Sequence, residues 1–150
     1  MSISSSSPRR KPMGAKAAKC KLFSKYIISM HVKITRSPNS VKKFRATLED
    51  GRTVDFGARG YSDYTKHKNP SRMRSYVLRH GGRVPKRTSA ERDPKKIQDR
   101  MLNVDYSFSE NWGMSGINSA GFWSRWYLWS FPSFGGVEKF MSKKFGIIIH

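Results

Sequence analysis

Asp63 and His67 stand four residues apart, and His80 follows further along the chain. A carboxylate and an imidazole at that spacing meet on one helical turn. Such a pair can do acid–base or metal chemistry, which would make the chain a DNA-processing enzyme. The rest of the sequence does not supply one. A metal-dependent nuclease needs converging carboxylates, and the ten acidic residues form no recognisable motif. No Ser-His-Asp or Cys-His signature is present. The plainer reading has Asp63 capping a helix, His67 pairing with it, and His80 at a helix end where a cation is favoured. We therefore expect no catalytic residue, no metal site, no cofactor and no small-molecule substrate.

Binding chemistry is better represented. Phe56-Gly-Ala-Arg-Gly-Tyr61 leaves a strand and enters a turn. Gly57 and Gly60 suit unusual backbone angles, and such a loop can cradle an anion with help from Arg59. The spacing is neither a P-loop nor a dinucleotide fingerprint, so a structural turn that also places Tyr61 is the competing reading. Residues 72–100 are strongly basic, and helical spacing sets Arg72, Arg79 and Arg83 away from the apolar stripe. Together with Lys86, Arg87, Lys95 and Lys96 they form a candidate phosphate-tracking surface, or a solvated helix face and loop. Arg9, Arg10, Lys11, Lys16 and Lys19 add a basic tail.

The net charge of +20 on 150 residues, with a pI near 10.6, is too large for solubility alone. It points to a polyanionic partner, either nucleic acid or the acidic face of another protein. Cys20 is the only cysteine. It excludes an intrachain disulfide and a cysteine zinc site, and it fits a reducing compartment. No apolar run is long enough to span a membrane, and the basic N-terminus lacks the apolar region of a signal peptide.

These residues need elements to position them. Residues 1–20 hold no acid and no core-forming pattern, and read as a tail that is disordered or held by a partner. Residues 21–150 read as one small domain. Tyr26, Ile28, Met30, Val32 and Ile34 alternate as a strand, followed by strands at 41–48 and 52–56. A three-residue loop with Gly51 in the left-handed conformation pairs Ala46 with Val54 and Phe44 with Phe56, which puts the apolar residues on one face. Asn69-Pro70 and Asp93-Pro94 start helices. Met73, Tyr76, Val77 and His80 recur at helical spacing in the first, and Ile97 and Met101 lie four apart in the second.

Ser119 caps an unusual helix, Ala120-Gly-Phe-Trp-Ser-Arg-Trp-Tyr-Leu-Trp129, with three of the four tryptophans. Phe122, Trp123 and Trp126 are expected to anchor it against Phe44, Ala46, Val54 and Phe56, with Tyr127 and Trp129 nearer the edge. Such a helix is the keystone of a small core or half core and half interface. Arg125 could stack on tryptophan, pair with a carboxylate or mark a polar exit. A helix containing Val137, Phe140 and Met141 stops at Gly146, and 147–149 could be a last edge strand. The fold class is α+β: a small antiparallel sheet, a three-stranded meander, covered by short helices.

Three stretches carry a family resemblance: Phe56-Gly-Ala-Arg-Gly-Tyr-Ser-Asp-Tyr-Thr-Lys-His-Lys68, Arg72-Met-Arg-Ser-Tyr-Val-Leu-Arg-His80 and Ala120-Gly-Phe-Trp-Ser-Arg-Trp126. Together they resemble a family of small basic uncharacterised proteins of large double-stranded DNA viruses of algae and protists. The resemblance spans roughly residues 42–134, with 84–102 reading as an insertion relative to shorter relatives. It implies a virion or DNA-related role and supplies no activity. The expectation is a non-enzymatic structural protein of the virus particle, a minor capsid or internal component. Its partners would be other capsid or virion proteins with acidic surfaces. It would reside in the virion, and in the host cytoplasm or nucleus during assembly. A DNA-binding or DNA-condensing role, with nucleic acid as partner, is the alternative.

Overall fold

The computed structural model describes residues 29–150. The basic tail, with Arg9, Arg10, Lys11, Lys16 and Lys19, and the strand residues Tyr26 and Ile28 lie outside the described residues. Three strands open the fold, β1 (Met30–Arg36), β2 (Lys42–Thr47) and β3 (Thr53–Ala58). They form the antiparallel meander that alternation predicts. Phe44 faces Phe56 and Ala46 faces Val54, the register expected from the buried face. Gly51 makes it possible: its φ is +89°, and the Leu48 and Arg52 backbones close the loop at 2.8 Å.

The sheet has a fourth strand. After Gly146, at φ +71°, β4 (Ile147–Ile149) lies parallel to β1, Met30 opposite Ile147. The order is β3-β2-β1-β4, so the sheet is mixed rather than a three-stranded meander. The edge strand was anticipated. Its parallel partner was not, because the intervening chain decides which edge it reaches.

Helices then cover one face. α1 (Tyr64–His67) is a single turn. α2 (Pro70–Arg79) begins at Asn69, whose side chain accepts from the Ser71 and Arg72 amides, and buries Met73, Tyr76 and Val77. α3 (Lys86–Ala90) is short. α4 (Pro94–Met101) is capped by Asp93 and buries Ile97 and Met101. The segment read as an insertion thus contributes to the core.

The aromatic segment begins as α5 (Ala120–Trp123), capped by Ser119, and widens at Ser124–Leu128 into a π-helical turn. That widening is what regular helical spacing misses. Arg125, Trp126, Tyr127 and Leu128 are buried in unbroken succession, because sheet, loop and the last helix surround them. Trp123 stacks on Phe56 with ring centroids 5.9 Å apart, and Tyr127 meets Phe44 and Phe56 edge-on at 5.5 and 5.6 Å. Tyr127 therefore takes the sheet-facing place expected of Trp126. Trp126 turns toward α6 (Phe134–Phe145), against Phe140 and Phe145. Phe122 packs on Trp123 and Phe145.

Arg125 is wholly buried. Its guanidinium donates to the carbonyls of Trp129 at 2.7 Å, Met101 at 2.6 Å and Val104 at 3.1 Å. It stacks on Trp126 at 4.3 Å and lies 5.5 Å from the Trp112 ring. The stacking alternative therefore describes it, and among the described residues no carboxylate is bonded to it. Burial pushes its pKa down to about 9, which leaves it a cation at neutral pH. It ties the end of α4 to the tryptophan core.

Candidate polyanion-binding site

Two left-handed glycines shape the exit from β3, Gly57 at φ +79° near the end of the strand and Gly60 at +87° in the loop that follows. At Gly57 a Cβ would also lie 2.9 Å from the Leu128 side chain, so the aromatic segment packs directly on the bare backbone. Arg59 braces this turn. Its guanidinium donates to the carbonyls of Lys42 at 2.5 Å and Ser37 at 2.8 Å.

Asp63 caps α1 by accepting the Thr65 amide at 3.0 Å and the Thr65 hydroxyl. Its charge partner is not His67 but Lys43 on β2, whose ammonium lies 2.6 Å away. The cap reading of Asp63 holds and the expected pairing with His67 does not form. His67 Nδ1 accepts the Asn69 amide at 3.0 Å, and Nε2 is buried without a partner among the described residues. Burial, then the Arg72 charge, lowers its pKa. Among the described residues no group of three or more His, Cys, Asp or Glu could hold a metal ion.

Asp63→Ala removes a cap and strands the largely buried Lys43 ammonium. It is expected to cost on the order of 3 kcal/mol, more than the cap alone. Asp63→Asn keeps an acceptor for the Thr65 amide and should lie between. Urea denaturation of the three proteins checks the order.

The two histidines are joined in another way. His80 stacks on Tyr76 with centroids 4.1 Å apart, Tyr76 on Trp129 at 4.2 Å with the ring planes nearly parallel, and Trp129 approaches His67 at 5.3 Å. This column of rings runs from the end of α2 to α1. His80 is held by Glu110 at 3.0 Å, and Glu110 also accepts the Trp112 indole N–H at 2.8 Å. Trp129, expected near an edge, is partly buried within the column.

Beside the column lies an open cleft of about 460 Å³. The β2–β3 hairpin and its loop contribute Lys42, Lys43, Tyr61 and Asp63. Helix α2 contributes Arg72, Tyr76, Arg79 and His80, and Trp129 closes the wall. Two candidates that the sequence kept apart, the glycine loop and the basic helix, meet here. Arg59 faces a neighbouring hollow with Arg36, Lys66 and Phe134.

The remaining cations divide by their partners. Arg74 is internal, donating to the carbonyls of Thr88 and Glu91 at 2.6 and 2.8 Å. Arg100 pairs with Glu91. Arg72, Arg79, Arg83, Lys86, Arg87, Lys95 and Lys96 are exposed, and among the described residues none of them is in an ion pair. Acids are spent elsewhere: Asp50, Asp55, Asp63, Glu91, Asp105 and Glu110 all pair within the chain.

Sequence reasoning passed over Lys42, Lys43, Glu110, Trp112 and the exposed pair Tyr106 and Phe108. Those last two rings pack edge-on at 5.6 Å while remaining 56 % and 73 % exposed, with the Arg83 guanidinium 5.9 Å from the Phe108 ring. Their alternation in Tyr106-Ser-Phe108 was the available signal, since Ser107 between them is buried against the His80 carbonyl.

Against this geometry, residues 32–80 match a family of unknown function, DUF5754. The match covers the meander, the glycine loop and α2, and with them most of the cleft. No curated protein and no solved structure matches the chain. No helix among the described residues is long and apolar enough to cross a membrane.

Proposed function

We propose that the protein is a non-enzymatic structural component of a large DNA virus particle, a minor capsid or internal virion protein that docks on acidic neighbours. The observation that carries this reading is the exposed Tyr106–Phe108 pair beside Arg83, in a chain where Arg83, Lys86, Arg87, Lys95 and Lys96 make no ion pair among the described residues. Aromatic and arginine side chains are the usual anchors of protein interfaces, and here two exposed rings and an arginine adjoin one another. An acidic partner face suits the surrounding charge. The motif resemblance supplies the viral setting, and two of its three stretches fall within or largely within residues 32–80.

Particles stripped of their genome should retain the protein stoichiometrically, measured by quantitative mass spectrometry of shells. The Tyr106→Ala/Phe108→Ala variant should be incorporated at a fraction of the normal level while folding normally, because both rings are exposed. Release of the protein together with the DNA would favour the DNA-binding alternative instead.

A further inference from the structure

We infer that the cleft beside the ring column is a binding site for single-stranded nucleic acid, with phosphates held by Lys42, Arg72 and Arg79 and one base stacked on Tyr61. The site is separate from the Tyr106–Phe108 patch and does not depend on its role.

Four observations converge. First, charge in the cleft is available. Asp63, the one acid lining it among the described residues, is buried and neutralised by Lys43 at 2.6 Å. The side chains of Lys42, Arg72 and Arg79 make no hydrogen bond or ion pair among the described residues, yet all three line one concavity. Unused guanidinium groups there suit phosphate oxygens, which they can meet with paired donors.

Second, the cleft offers a ring. Tyr61 is 74 % exposed and has no aromatic neighbour among the described residues. Left-handed Gly60 precedes it and sets the turn that presents it. Tyr76, by contrast, is sandwiched between His80 and Trp129, so its faces are not available.

Third, the walls are fixed. Tyr76 and Trp129 are locked in the column, and Gly57 is packed against Leu128. A preformed cleft loses little entropy on binding. Fourth, the size fits: about 460 Å³ is the scale of a small-ligand pocket and holds a nucleotide, not a duplex. A ring plus a cationic track is how sequence-tolerant single-strand sites work. An acidic peptide would use the cations and leave Tyr61 without a role.

The test uses the full chain and three probes: a fluorescent fifteen-residue oligothymidylate, an abasic strand of the same length, and polyglutamate. Binding is measured by anisotropy over a salt series. Tyr61→Ala should weaken oligothymidylate binding about tenfold and leave the abasic strand unchanged, the loss expected of one stacked base. Arg72→Ala/Arg79→Ala should weaken both strands and lower the slope of log K on log salt by about 1.4, the share of two phosphate contacts on a single strand. Lys95→Ala/Lys96→Ala, on α4, is the control for general charge loss. All these side chains are exposed, and an unchanged thermal midpoint confirms folding. The inference is overturned if Tyr61→Ala affects the two strands equally. It is also overturned if the Arg72/Arg79 variant loses no more than the α4 control, or if polyglutamate binds as tightly and responds to the same variants.

Discussion

Trp126→Ala is expected to unfold, or nearly unfold, the isolated chain. The side chain is wholly buried. Its ring lies against Phe140 and Phe145 of α6 and under the Arg125 guanidinium, and its indole N–H donates to the Trp112 carbonyl at 2.7 Å. Truncation therefore opens a large cavity, removes the stacking partner of a buried cation and leaves a buried carbonyl without its donor. Losing a buried tryptophan costs about 3–5 kcal/mol, and the orphaned carbonyl adds about 1 kcal/mol or more. A domain of this size has only about 5–15 kcal/mol in hand. Trp126→Phe should recover much of the packing but not the indole hydrogen bond. Guanidinium denaturation of the three proteins should rank them wild type, Phe, Ala. Trp129→Ala, at a partly buried position, should be milder because Tyr76 keeps His80 on its other face.

The second large effect is expected at Arg125. Its guanidinium serves three backbone carbonyls at once, those of Met101, Val104 and Trp129. Arg125→Ala leaves them unsatisfied in a water-excluded place, at about 1–3 kcal/mol each before relaxation. It also empties the space beside Trp126. The combined loss should be roughly 4 kcal/mol or more, among the largest for a single substitution in this chain. Arg125→Lys should rescue little, because an ammonium lacks the planar fork that reaches separate carbonyls and lies flat on an indole. Arg125→Met should be milder than Ala. It fills the space and removes the cost of burying a charge, though not the orphaned carbonyls. Because Met101 and Val104 belong to the end of α4 and its exit, the loss should appear there first. Hydrogen exchange should show faster amide exchange in 94–104 for Arg125→Lys than for the native chain.

These two residues also show how far the sequence could be read. The burial of Trp126 was legible, since an aromatic run at three- and four-residue spacing has to be enclosed; that of Arg125 was not, because a stacked cation, an ion pair and a polar exit all suit an arginine there. Which neighbour each ring would face was not legible either. Regular helical spacing put Trp126 on the sheet, whereas the π-helical turn shifts the following side chains and gives that place to Tyr127. The turn is stabilised by long-range partners, among them the Met101 and Val104 carbonyls that hold Arg125, and nothing within 124–128 announces them.

The candidate site divides in the same way. Gly57, Gly60, the Asp63 cap and the Asn69-Pro70 start were readable because a cap or a left-handed glycine acts within a few residues of itself. The hairpin register was readable because only one pairing buries Phe44, Ala46, Val54 and Phe56 together. Lys43 as the partner of Asp63 was not readable, and neither was the ring column through Tyr76 and Trp129. Each joins elements far apart in the chain, and such contacts depend on how whole elements pack.

By itself, then, the sequence determined the antiparallel meander, the capped starts of α2, α4 and α5, the apolar faces and the excess of positive charge, since all of these follow from composition, periodicity and short-range hydrogen bonding. Only the tertiary structure decided that β4 runs parallel to β1, that Arg59 and Arg74 are spent on backbone carbonyls, and that Lys42, Arg72, Arg79 and Tyr61 share one cleft. The physical reason is range: a local signal settles a turn or a face, whereas the neighbours of a side chain are set by the folding back of distant segments, where burial and hydrogen-bond satisfaction are decided jointly.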